Sequence, residues 1–229
     1  MPAPRDDLAR WRRYWDKHAP GYDRQMGFFE RLMVDDGRAW VCSQASGEVL
    51  EVAIGTARNL AFYPAGVRLT GIDLSPAMLT IARHRAQELG RTVQLREGDA
   101  HALDFPDASF DTVVCTFSLC TIPDERRAIA EMRRVLRAGG RLLLLDHVAS
   151  SAWPARAVQR LLELVTVPMG NEHFLRRPQE HVQAEGFQIE RRERFKLGII
   201  ERLAARKPAG SIGQDGAGWT VRSVNGMAP

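Results

Sequence analysis

The stretch Gly47-Glu-Val-Leu-Glu-Val-Ala-Ile-Gly-Thr-Ala-Arg-Asn59 decides the fold. Residues 47–52 read as a strand that runs into a tight loop of small residues around Gly55. A second strand, Arg68 to Asp73, ends in an acid 18 residues beyond Gly55. A strand, a small-residue loop and a second strand closed by a carboxylate form the ligand crevice of an open parallel sheet.

Working outward, the same alternation continues. Ser75 and Pro76 open a helix as N-cap and first helical residue, Met78, Leu79, Ala82, Ala86 and Leu89 give it an apolar stripe, and Gly90 ends it. Strands follow at 92–97, 111–116 and 141–146, the last an unbroken apolar run expected to be buried on both faces. Thr56 to Tyr63 predicts a short helix stopped by Pro64, and 125–137 a helix closed by Gly139 and Gly140. Two final strands are expected at 187–195 and 198–206. The class is therefore α/β, with a mostly parallel sheet flanked by helices. Before the sheet, residues 5–18 predict a helix with Leu8, Trp11 and Trp15 on one face. That stripe reads as a packed helix, a lid over substrate, or a membrane-surface helix. The apolar segment 151–169 suggests a greasy pocket, and the Gly-rich 208–229 a flexible tail.

The 229 residues are 45% hydrophobic and 26% charged, which excludes a wholly disordered or collagen-like chain. The net charge of +4 invites a nucleic-acid reading. Of 32 cations only Lys17, Lys196 and Lys207 are lysine, and the arginines are scattered among 28 acids rather than clustered. No nucleic-acid partner is expected. No apolar run spans a bilayer, no signal peptide is visible, and Cys42, Cys115 and Cys120 form no CxxC pair. A cytoplasmic protein with reduced thiols is expected.

The ligand follows from the loop. A dinucleotide fingerprint has glycines at the three positions held here by Ala53, Gly55 and Arg58, and arginine at the third fits a nicotinamide cofactor poorly. Leu50 to Asn59, Gly71-Ile-Asp-Leu-Ser-Pro-Ala-Met-Leu79, Glu97-Gly-Asp-Ala100, Phe105 to Asp111 and Val135 to Arg141 together resemble the UbiE-type class I S-adenosylmethionine (SAM) methyltransferases over residues 45–207. Phe62-Tyr-Pro, Val114 to Cys120 and Asp146-His-Val148 resemble, more narrowly, the alkyl-thiol methyltransferases.

The resemblance implies a seven-stranded Rossmann-like sheet in the order 3-2-1-4-5-7-6. N-terminal helices (1–44) would cover the active site of a SAM-binding domain (45–207). It implies SAM as cofactor and a small, hydrophobic methyl acceptor as partner: a thiol, amine, phenol or carbon nucleophile. The cofactor set it implies is Tyr22, Glu51, Ala53, Gly55, Asn59, Asp73, Leu74, Met78, Asp99, Ala100, Thr116 and Phe117. Within it Asp73 takes the ribose hydroxyls, Leu74 and Met78 the adenine faces, Asp99 and Ala100 the adenine edge, and Thr116 and Phe117 the sulfonium. The family has glycine where this chain has Ala53 and Ala57, and alanine cannot freely take φ > 0. His147, past the fifth strand, is the candidate base or substrate contact, and equally a histidine capping a helix or bonding backbone. His18, Cys120 and His173 are candidate substrate contacts. Each also has a plain reading, as a solvated helix end, a small buried residue and a loop histidine. No metal is expected. Methyl transfer needs alignment more than any universal catalytic residue. A non-catalytic SAM-fold module acting through a protein partner is the alternative, motivated by the altered loop at Ala53 and Ala57.

Overall fold

The computed structural model describes residues 5–209, with side chains from Leu8 onward. Seven strands form one sheet: β1 (Glu48–Val52), β2 (Arg68–Asp73), β3 (Val93–Glu97), β4 (Phe110–Thr116), β5 (Leu136–His147), β6 (Gln188–Phe195) and β7 (Ile200–Arg206). Their order is β3-β2-β1-β4-β5-β7-β6, with β1 to β5 parallel and β7 antiparallel to both neighbours. The order reverses at β1, so β1 and β4 diverge to their crossover connections on opposite sides and leave a crevice at their carboxyl ends.

Six helices cover the sheet: α1 (Arg5–Met33), α2 (Gly37–Cys42), α3 (Pro76–Glu88), α4 (Glu125–Val135), α5 (Trp153–Gly170) and α6 (Pro178–Ala184). Alternate residues of β5 go to opposite cores, as the two-residue period of a strand requires. Leu142 and Leu144 meet Ile129 and Met132 of α4 and Val182 of α6. Leu143 and Leu145 join Val41 of α2 and Leu79 and Ala82 of α3. The Ser75 hydroxyl caps α3 by accepting from the Met78 amide at 3.2 Å.

Several expected elements are corrected. Residues 56–63 form turns and a single 3-10 turn (Leu60–Phe62), not a helix, because Ala57 sits at φ +60°, outside the helical region. Helix α4 stops at Val135, and β5 begins at once with Leu136 opposite Phe110. A bulge follows, and Gly140 is needed there because a Cβ would come within 3.0 Å of the Arg137 and Asp111 carbonyls. Helix α1 runs 15 residues beyond the expected end at 18. The expected tail, 208–229, lies outside the described residues from 210 onward.

Candidate functional site

A cleft opens at the carboxyl ends of β1, β2 and β4. One wall is the β1 loop (Ala53, Gly55), the second the end of β2 and the start of α3 (Asp73, Leu74, Met78). Asp99 to His101 form a third, and Phe117, Ser118 and Thr121 after β4 a fourth. Leu8, Trp11, Trp15 and Tyr22 of α1 complete it, at the spacing that puts one helix face over the opening. The aromatic stripe is thus cleft wall.

Asp73 is anchored at both oxygens. Its two carboxylate oxygens accept from the Gly55 amide at 2.8 Å and the Ser75 amide at 2.9 Å. Burial, helped by the charge of Asp16, pushes its carboxyl up to about 6, against the pull of those amides. It remains an acceptor at neutral pH with a lone pair left on each oxygen. Asp99 is opposite in character. Burial works upward, but the His101 side chain and amide outweigh it and hold the carboxyl below its usual range. His101 accepts from the Asp124 amide at Nε2 (3.1 Å), so its proton stays on Nδ1 and is donated to Asp99 at 2.7 Å. His101 was not among the expected site residues; the Asp99-x-His101 spacing, which lets an acid bond the residue two ahead, was the available signal.

Ala53 (φ +54°), Gly55 (φ +56°) and Phe117 (φ +50°) all bend the chain through the left-handed region beside the cleft. The alanines therefore hold the conformation that glycine takes freely, at a cost of about 1–2 kcal/mol each. Replacing Ala53 by glycine is expected to raise stability by about 0.5–1 kcal/mol, once the extra chain entropy of glycine is subtracted. Urea denaturation reads this; an unchanged midpoint would mean that the loop carries no strain at Ala53.

Glu51, Asn59 and Thr116 were expected against the cofactor, and the structure places them behind the cleft wall, in a buried polar network. Asn59 donates to Glu51 (2.7 Å) and Thr116 (2.9 Å) and accepts from Arg38 (2.7 Å). The Tyr63 hydroxyl donates to the other Glu51 oxygen at 2.8 Å. Burial pushes the Glu51 carboxyl up to about 7. Arg38, on α2, also bonds Glu30 of α1 at 2.7 Å, and Arg58 clamps the same carboxylate at 2.5 Å. Asp23 of α1 accepts from Thr56 (2.6 Å) and pairs with Arg85 of α3. These contacts tie α1 to the loop that carries Gly55.

The four candidate catalytic or substrate residues do not line the cleft. His147 is buried, stacks on Phe174 and lies 3.4 Å from Glu172. Burial lowers its pKa, yet Glu172 and Asp146 outweigh this and raise it. Cys120 and His173 meet each other: the His173 amide donates to the Cys120 carbonyl at 2.9 Å. Burial pushes the Cys120 thiol well up, and Cys42 and Cys115 are buried too. His18 stacks on Tyr14 and bonds its carbonyl at 2.7 Å. Cys120, Asp146 and His147 could together offer three metal ligands. Asp146 is already occupied, however, by the amides of Ser118, Cys120 and His147. Nor does α5 line the cleft, as its apolar sequence had suggested.

The sheet order and the crevice at its switch point are those of the class I methyltransferase fold. Residues 50–144 match the family described as a methyltransferase domain, and a domain of this class implies SAM as cofactor. The chain is 43% identical over 118 residues to the phosphatidylethanolamine N-methyltransferase of Cereibacter sphaeroides, covering 51% of this chain and 58% of the relative. It is 41% identical over 116 residues (49% and 48%) to the demethylmenaquinone methyltransferase of Deinococcus radiodurans. It is 34% identical over 139 residues (58% and 56%) to a human thiol S-methyltransferase, TMT1A. The chain spans about half the length of these curated relatives. A SAM-dependent methyltransferase structure from Thermotoga maritima superposes with a TM-score of 0.65 at 21% identity, over 85% of this chain and 99% of that one. No helix among the described residues is long and apolar enough to cross a membrane.

Proposed function

We propose that the protein transfers the methyl group of SAM to a small, hydrophobic acceptor by direct displacement. The observation that carries this reading is the placing of Asp73 and Asp99 on separate walls of one cleft, with apolar side chains between and above them. In this reading Asp73 receives two ribose hydroxyls and Asp99 an exocyclic amine. The Leu74 and Met78 side chains offer flat apolar contact to a base. A Cβ at Gly55 would meet only Tyr22, at 4.0 Å, so the loop backbone is open to close approach by a ligand. These features suit a nucleoside joined to a short charged chain.

SAM, when bound, supplies a methyl group already activated on a sulfonium. The chain's task is then to align and to exclude water. Trp11 and Trp15 cover the opening, and Phe117 and Ser118 sit at the β4 end where an acceptor would meet the methyl. The buried His147 is given no proton-transfer role, since Glu172 and Phe174 rather than the cleft surround it. The acceptor classes in the relatives' names, a phospholipid amine and a thiol, set the panel to try first.

Titration calorimetry with SAM tests the cofactor, and labelled SAM with an acceptor panel tests the transfer. Absence of SAM binding would overturn the reading. The pH dependence has a defined sign. Ionised Asp73 accepts through both oxygens, whereas the protonated acid turns one of them into a donor that opposes a ribose hydroxyl, so SAM affinity should fall as pH drops through about 6. At pH 5 it should be about tenfold weaker than at pH 7, one pH unit below the pKa leaving about a tenth ionised. A flat profile would mean that Asp73 is not the acceptor.

A further inference from the structure

Helix α5 is amphipathic in the reverse sense. Gln159 is buried, its carbonyl accepting from the Ser150 amide (2.8 Å) and its amide donating to the Val148 carbonyl (2.9 Å). On the same face Glu163 accepts from the Leu175 amide at 2.8 Å and the Thr166 hydroxyl donates to the Glu172 carbonyl at 2.8 Å. The polar stripe therefore faces the protein. The opposite face carries Trp153, Val158, Leu161, Leu164, Val165 and Met169, all 56–77% exposed. At about 100° per residue, Arg160 is the one charged residue on that outward arc. A continuous exposed apolar face of this kind marks an interaction surface.

Helix α1 supplies the charge beside it. The Arg10 guanidinium donates to the Pro168 carbonyl of α5 at 3.3 Å, so the two helices abut. Arg10, Arg13, Lys17, Arg24 and Arg31 are all exposed and fall within about 60° of one another on the helix wheel. Exposed Phe28 and Leu32 lie on the same side. The three acids of residues 8–33 are turned inward: Asp16 to Ser75, Asp23 to Thr56 and Glu30 to Arg38. One helix thus carries the cleft wall on one face and an acid-free row of cations on another.

We propose that the outward faces of α1 and α5 form one docking surface for an anionic lipid bilayer. The apolar face of α5 would enter the acyl boundary, and the α1 cations would contact the headgroups. A second copy of the chain is a poorer occupant. The cation row would face its own like charges across a dimer axis, whereas an anionic surface complements it. The surface needs no cofactor, so it stands apart from the methyl-transfer reading.

Vesicle co-sedimentation of the full chain tests this, with phosphatidylcholine alone and with added phosphatidylglycerol. Binding is expected to the anionic vesicles and to weaken as salt rises from about 0.1 to about 0.5 M. Arg13→Glu, Lys17→Glu and Arg24→Glu should each lower the partition coefficient at least fivefold, since one cation near an anionic surface gives about that factor. The double variant L161E/V165E should abolish sedimentation while keeping the circular dichroism of the parent, as both side chains face solvent. Overturning outcomes are an absence of sedimentation with anionic vesicles, or sedimentation untouched by L161E/V165E. A dimer in light scattering that L161E/V165E dissociates would also overturn the proposal, by assigning the face to a second copy.

Discussion

Asp73→Asn should lower SAM affinity by about two orders of magnitude or more, measured by calorimetry at pH 7. A charged acceptor contributes about 1.5–3 kcal/mol per hydrogen bond, and Asp73 has one free lone pair on each oxygen. Asparagine keeps the shape but turns one acceptor into a donor, which opposes a ribose hydroxyl. The Gly55 or Ser75 amide also loses its partner, so the loop loosens. The fold itself should tolerate the change. Because the folded-state carboxyl is raised to about 6, folding holds the proton more tightly than the unfolded chain does, and stability contributed by this group falls as pH rises from about 4 to 6. Removing the charge relieves that cost near neutral pH. A variant that binds SAM like the parent would take Asp73 out of the site.

Arg38→Met should destabilise the protein by about 2–4 kcal/mol, read from urea denaturation. Methionine fills much of the arginine volume, so the loss reports polar contacts more than a cavity. A buried polar atom left without its partner costs about 1–3 kcal/mol, and the Glu30 carboxylate loses one of its two arginines. Glu30 would retain Arg58, but the Asn59 carbonyl oxygen would be left without its donor inside the network. Arg38→Lys should recover only part of the loss. A single ammonium cannot span Glu30, Asn59 and Thr116, which the guanidinium reaches at 2.7, 2.7 and 3.0 Å. A loss below about 1 kcal/mol would place Arg38 among ordinary surface pairs.

The sheet was legible because strands buried on both faces must be written as apolar runs, as in Leu142 to Leu145, and because the crevice announces itself through Gly55 and Asp73 at strand ends. Helix α6 and the bounds of α2 were missed: six or seven residues are too few to show a 3.6-residue period. The break at Ala57 had its signal in the glycine that the resembled family has there, but alanine itself favours helix and takes a positive φ only when its surroundings impose it. Glu51, on β1, and Asn59, in the loop after it, flank true cleft residues, but which way the Asn59 side chain turns depends on Arg38, 21 residues earlier on α2. In α5 the apolar period was visible and its direction was not. The usual assumption that apolar means inward failed because Gln159, Glu163 and Thr166 are wanted by backbone groups of neighbouring loops.

The three buried cysteines give the folded molecule an internal clock. Cys42, Cys115 and Cys120 are each at most 3% exposed, and burial holds all three thiols above their ordinary pKa. A thiol-specific reagent needs both access and a thiolate, and here it is denied both until the chain opens. Cys120 sits in the loop after β4 while Cys42 and Cys115 lie in the two opposite cores. Their separate labelling rates would therefore show which side of the sheet opens first.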